Sequence, residues 1–168
     1  MTERVPAPGG LALVEALVNT LDIESGADAL DSAEGRARFG ITPEETDLAR
    51  TLRESLRAVL LAHAGHPPHR EVRPLGDLLA GAPLVVTVDT TDGSAALAPA
   101  DGRTLHARVA AAVAEALAAG TWTRLKACEA ADCHWAYYDR SPAGRGRWCS
   151  MQVCGARAKM RRYRAKDV

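Results

Sequence analysis

Apolar residues recur at helical intervals over several stretches of the chain and run continuously over one. Leu11, Val14, Leu17, Val18 and Leu21 fall on one face of a helix predicted over 11–21. Residues 22–40 are acidic and broken by glycine, and read as loop with room for one short helix. Thr42, Pro43 and Glu45 then form a start signal: a capping hydroxyl, a proline for the first turn and a reciprocal carboxylate. Leu48, Leu52, Leu56, Val59 and Leu60 continue it as an apolar stripe that ends near Gly65. Leu75, Leu78 and Leu79 predict a short helix closed by Gly81. LVVTVD (84–89) is β-branched, TTDGS (90–94) is a turn, and SAALAPA returns as the second strand of a hairpin. A helix over 103–119 turns Leu105, Val109, Val113, Ala116 and Leu117 inward and stops at Gly120.

Beyond Gly120 the pattern changes. Trp135 and Tyr137 fall on one face of a predicted strand and Tyr138 on the other. SPAG (141–144) is a turn, and RGRW (145–148) returns the chain as the second arm of a hairpin. SMQVCGARAKMRRYRAK is helical in pattern. It carries an apolar seam of Val153, Ala156, Met160 and Tyr163, a stripe of Arg157, Arg161 and Arg164, and another of Lys159, Arg162 and Lys166. The expected class is α+β and mainly helical: an N-terminal helical domain with a β-hairpin, followed by a small C-terminal module of β-hairpin and helix.

Charge divides the chain at the same place. The net charge is zero, but residues 1–120 hold 10 Arg/Lys against 17 Asp/Glu, whereas residues 121–168 hold 11 against 4. An acidic part of net −7 and a basic part of net +7 point to two units, 1–120 and 121–168, with different partners. On this division, Cys149→Ala unfolds the second unit and leaves the first folded.

All four cysteines lie in the basic unit, as the pairs Cys128/Cys133 and Cys149/Cys154, with four residues inside each pair and fifteen between the pairs. The polar, proline-containing N-terminus is unlike a secretory signal, and no apolar run approaches membrane-spanning length. The expected location is therefore the cytoplasm, where stable disulfides are rare. Four thiolates suit one structural Zn²⁺ in a closed tetrahedral site. Free thiols, a redox pair or an iron–sulfur cluster are the other readings. Zinc also explains the clustering: a short module with a small core gains folding free energy on the order of 10 kcal/mol from a bound ion.

Little else carries chemistry. His63, His66 and His69 share no helical face because Pro67 and Pro68 interrupt them, and they read as a surface loop. Asp89 and Asp92 flank a turn. There is no phosphate-binding glycine loop and no nucleophile motif, so no enzyme is expected.

The segment RLKACEAADCHWAYYDRSPAGRGRWCSMQVCGARAKMRRYR resembles the bacterial CGNR zinc finger. The shared run is Cys128, Cys133, Trp135, Asp139, Ser141, Arg147, Trp148, Cys149, Ser150, Met151, Cys154, Gly155, Arg157, Lys159, Tyr163 and Arg164. The preceding part is similar to the ABATE domain that accompanies this finger, particularly around Asn19, Thr20, Leu21 and Asp22. The resemblance implies a stress-related transcription regulator with a DNA-binding finger, zinc on Cys128, Cys133, Cys149 and Cys154, and an N-terminal domain that senses a ligand. One departure stands out: the family's namesake asparagine is Ala156 here.

The expected function is a DNA-binding regulator. Arg145, Arg147, Arg157, Lys159, Arg161, Arg162, Arg164 and Lys166 are the candidate contacts. A homodimer suits such a regulator, although no stretch reads as its interface. An unidentified small-molecule effector is a further expected partner, and a membrane is not. The alternative is a zinc-stapled protein-interaction module drawn by charge to an acidic partner, or an RNA binder that stacks bases on Trp135, Tyr137 and Tyr138.

Overall fold

Turn geometry sets where each helix begins and ends. The computed structural model describes residues 5–165. Helix α1 spans Leu11–Val18 and opens from the turn at Pro8–Gly10. It stops earlier than the apolar spacing predicts, because Asn19 leaves the helix and Leu21 instead bridges to Asp28. A 3₁₀ turn (Ala29–Asp31) and α2 (Ala33–Ala37) follow, with the Asp28 and Ser32 side chains as caps. Helix α3 spans Thr46–His63. Its start signal is half used: Glu45 accepts the Thr42 N–H at 2.8 Å, but no side chain caps the helix itself. Helix α4 is Leu75–Leu79, and strands β1 (Leu84–Val88) and β2 (Ala95–Pro99) form an antiparallel ribbon. Helix α5 spans Leu105–Ala118, capped by Thr104 Oγ1 on the Ala107 N–H and ended at Gly120, whose φ is +66°.

Strands β3 (Leu125–Ala127) and β4 (Ala136–Tyr138) pair antiparallel, with Leu125 opposite Tyr138. This corrects the hairpin expected at SPAG. Tyr137 and Tyr138 pair back to residues 125–126, and RGRW forms no strand. The reason is polar: Lys126 and Asp139 are both buried and bond at 3.0 Å, and the chain from 139 to 146 winds around that pair. Asp139 accepts the N–H groups of Ser141 (3.0 Å) and Gly146 (2.7 Å), leaving residues 141–146 no strand partner. A Cβ on Gly146 would lie 3.0 Å from the Asp139 carboxyl. A π-type turn (Met151–Gly155) leads into α6 (Ala156–Arg164).

The core lies where α1, α3, α5 and β3 meet. Leu11, Leu17, Leu52, Leu56, Leu60, Val109 and Leu125 are among its fully enclosed members. Trp122, Leu125, Ala127 and Ala136 belong to the same cluster as the residues of α1 and α3, so one core crosses the change of charge at residue 120. Two expected core residues lie outside it: Leu48 is 47% and Leu117 59% exposed, while Leu61 and Ala112 are buried. Repeated i, i+4 steps drift about 40° each around a helix. The stripe Leu48–Leu52–Leu56–Leu60 therefore leaves the core face at its first member, and Ala49 takes that place. Among the described residues no helix is long and apolar enough to cross a membrane.

Candidate metal centre

The β3–β4 loop carries the first cysteine pair. Cys128 directly follows β3, and its N–H donates to Trp135 O at 2.9 Å, extending the ladder. A tight turn then brings Cys133 back, with both Cys133 N–H (2.9 Å) and His134 N–H (3.1 Å) on Ala130 O. His134 closes the turn at φ +46°, the one non-glycine positive φ among the described residues. The second pair comes from the turn into α6. Ser150 Oγ accepts the Val153 N–H, and the Gly155 N–H reaches Ser150 O at 3.0 Å. A Cβ on Gly155 would lie 3.1 Å from Met151 sulfur and 3.3 Å from the Trp148 ring, so glycine permits the close packing of that aromatic over the cysteines.

The four Sγ atoms lie within 4.8 Å of one another. Cys133–Cys149 is 3.6 Å and Cys149–Cys154 3.7 Å, far beyond a disulfide bond, and no disulfide joins any of the four cysteines. A tetrahedral Zn–S bond of about 2.3 Å gives sulfur–sulfur edges of about 3.8 Å. The cluster therefore has the dimensions of a four-thiolate metal site. Contact with the Cys128 and Cys149 thiols pushes the Cys133 thiol far up, and burial pushes Cys154 up to about 12. Four thiols this close resist ionising together unless a dication lies among them. The backbone N–H groups of Ala130 and Trp135 act against the upward shifts at Cys128 and Cys133, the direction that favours a metal-bound thiolate.

Asn19, which the sequence marked only by resemblance, and Arg57, which it did not mark, hold this centre on the helices. Asn19 donates to Ala136 O (3.0 Å) and accepts the Ala136 N–H (2.7 Å), clasping the exit of α1 to β4. Arg57 of α3 is fully buried and donates to Val18 O (2.8 Å) and His134 O (3.1 Å). Arg57 sits one position round from Leu56, and nothing in its spacing separates it from a solvated arginine. Asn19→Ala removes both bonds of the clasp. The expected loss is about 2 kcal/mol of stability, read as a lower urea midpoint at unchanged m-value.

The three histidines also correct an expectation, that of a plain surface loop. His63 Nδ1 meets Leu125 O at 2.8 Å and stacks edge-on to Trp122, while His69 Nε2 meets the buried Glu54 carboxylate at 3.0 Å. His66 lies 3.7 Å from Glu129. They serve three different partners.

The basic candidates do not all point into open solvent. Arg157 contacts both Glu24 oxygens at 3.0 and 3.1 Å, Arg161 lies 3.6 Å from Asp132, and Arg147 pairs with Glu129 beside the Trp148 ring. Arg145, Lys159, Arg162 and Arg164 are exposed, and Lys166 lies outside the described residues. Along α6 only Ala158 is buried, and the apolar seam faces outward, with Val153, Met160 and Tyr163 49%, 53% and 66% exposed.

A profile of the CGNR zinc finger matches residues 124–167, the stretch that builds the cysteine cluster and α6. A profile of the ABATE family, described as "Putative stress-induced transcription regulator", matches residues 11–120. No curated protein matches the chain. The second match alone covers well over half of the 168 residues, and the first contains all four clustered thiols. The chain is a member of the ABATE family carrying a C-terminal CGNR zinc finger.

Proposed function

We propose that this protein is a cytoplasmic transcription regulator that binds duplex DNA through a finger folded around one Zn²⁺, with residues 1–120 as its ligand-sensing domain and 121–168 as the finger. Cys128, Cys133, Cys149 and Cys154 hold the ion. Its chemistry is structural: with four thiolates no coordination position remains for water or substrate. The observation that carries the reading is helix α6. It springs directly from the second cysteine pair, buries only Ala158, and presents Arg157, Lys159, Arg161, Arg162 and Arg164 on its surface. A helix held at one end by a metal centre and open along its length suits a DNA groove, where arginines meet phosphates and base edges. Arg145 and Arg147 extend the basic surface, and Lys166, outside the described residues, remains a candidate contact. Phosphate competes with Glu24 for Arg157, so DNA contact and the acidic loop exclude each other at that side chain.

Replacing Arg157 and Arg161 together by Ala is expected to weaken duplex binding roughly tenfold or more and to lower the salt slope by about 2, with zinc content unchanged. Fluorescence anisotropy across a salt series measures both. Unchanged affinity and slope would move the interface off α6. A second reading, a zinc-stapled protein-docking module, is favoured by the exposed seam of Val153, Met160 and Tyr163. Selection on random duplex DNA separates the two: an enriched motif supports the regulator, and none from folded, zinc-loaded protein supports docking.

A further inference from the structure

The ribbon of β1 and β2 is an apolar surface that the finger does not use. Directly opposed residues share a face, so Leu84, Val86 and Val88 of β1 lie with Pro99, Leu97 and Ala95 of β2. The base of this face is covered: Leu84 packs with Ala82, Ala107 and Ala110. The rest is open, with Val86 69%, Val88 60% and Leu97 47% exposed. Neither strand contains a charged residue. Exposed edges of this kind are ordinarily guarded by charge, and an isolated two-stranded ribbon is marginal in water.

The edges differ. The N–H of Ala100 bonds to Pro83 O and the N–H of Asp89 to Ser94 O. The alternation of an antiparallel ladder then turns the polar backbone of Leu84, Val86 and Val88 away from β2. The outer edge of β2 includes Pro99, which has no N–H to offer, whereas β1 has a full set and pairs with nothing else among the described residues.

We propose that the outer edge of β1 is a homodimer interface, on which a second copy of this chain pairs its own β1 antiparallel about a two-fold axis at Val86. In that register Val86 pairs with itself, Leu84 with Val88 and Val85 with Thr87, so the face of Leu84, Val86 and Val88 is apolar throughout and no like charges oppose within the strands. The two ribbons fuse into one four-stranded sheet. Each acidic tip, with Asp89 and Asp92, comes alongside the base of the other ribbon. Asp89 falls opposite Pro83, whose ladder partner Ala100 is three residues from Arg103. The Arg103 side chain is 93% exposed and pairs with Asp101 at 3.3 Å. The base thus offers the tip one exposed cation, Arg103, which can turn from Asp101 to Asp89 of the other copy, twice per dimer. This complementarity within one sequence selects a second copy over an unrelated strand.

Sedimentation velocity on the full-length, zinc-loaded protein tests it. A dimer is expected at micromolar concentration, dissociating on dilution. Val86→Lys places two like charges on the axis and is expected to raise the dissociation constant at least tenfold. Its exposure predicts unchanged circular dichroism and zinc content. Asp89→Arg and Arg103→Asp should each weaken the dimer severalfold, and the double variant should restore it. A monomer at every concentration overturns the proposal, as does a dimer indifferent to Val86→Lys. Weakening by both charge variants without restoration in the double overturns the antiparallel register.

Discussion

Cys149→Ala is expected to release the metal and to destabilise the chain as a whole. Read as two units, the sequence predicts that residues 1–120 stay folded when the finger is lost. The shared core predicts otherwise. Leu125, Ala127 and Ala136 lie on both sides of the Cys128/Cys133 loop, and all three are enclosed in the cluster with Leu17, Leu56 and Leu60. The ion closes that loop, so its loss frees the hairpin that seals one side of the helices. Zinc in small modules contributes on the order of 10 kcal/mol. Part of the hairpin's burial against α1 and α3 survives without metal, so the expected loss is several kcal/mol, roughly 10 °C or more in melting temperature for a chain of this size. Atomic emission gives the stoichiometry and calorimetry the transition. One transition, moved down, is the expected result. Two transitions, with the upper one where the wild type melts, would show that residues 1–120 fold alone. Retention of one zinc per chain would refute the ligand assignment.

Arg57→Met should cost about 3–5 kcal/mol, the usual penalty for removing one member of a buried charged network. The arginine is fully enclosed, lies 3.2 Å from the Glu54 carboxylate, and donates to two carbonyls, Val18 O and His134 O. Glu54 is also bonded by Arg53 at 2.7 Å and His69 at 3.0 Å. Burial alone would raise its pKa, but the His69 hydrogen bond and the Arg57 and Arg53 charges outweigh it and bring the carboxyl down to about 2. A carboxyl depressed on folding stabilises the native state above its ordinary value and loses that contribution as pH falls through the folded value. For Glu54 the contribution is about 3 kcal/mol, lost between roughly pH 5 and pH 2. In Arg57→Met the folded value rises, so the mutant should show a shallower decline in stability over that acid range. Urea denaturation at several pH values measures both effects. Equal slopes in mutant and wild type would remove Arg57 from the control of Glu54.

The network also shows where reading a sequence stops. Arg53, Glu54 and Arg57 look like the solvated side of an amphipathic helix, because charge on a helix ordinarily means solvent. They are buried because they answer polar groups brought in from far along the chain: Thr20 Oγ1, Asp28, Val18 O and His134 O. Lys126 and Asp139 are the same case in the finger. No local periodicity marks a charge whose partner is contributed by another element.

Local signals did better where the physics is local. Helical spacing located α1, α3 and α5, Gly120 ended α5, and the turn at TTDGS joined β1 to β2. The cysteine pairs announced their cluster, since metal-ligand geometry needs paired ligands on short turns wherever they fall in a fold. The resemblance to the CGNR finger and the ABATE domain was legible for the same reason: its residues sit in contiguous runs.

Residue order alone therefore determined the helices, the ribbon, the four-thiol set and the family, because each rests on contacts or ligand spacings a few residues apart. Tertiary structure decided the rest. It paired β4 with β3 instead of RGRW, since a buried Lys126–Asp139 bond outweighs a plausible local turn. It joined the finger to the helices through Asn19 and Arg57. It also left β1 with an unpaired edge and α6 uncovered except at Ala158. These outcomes depend on which surfaces meet across the fold, and burial is a property of the whole packing that no single stretch of sequence contains.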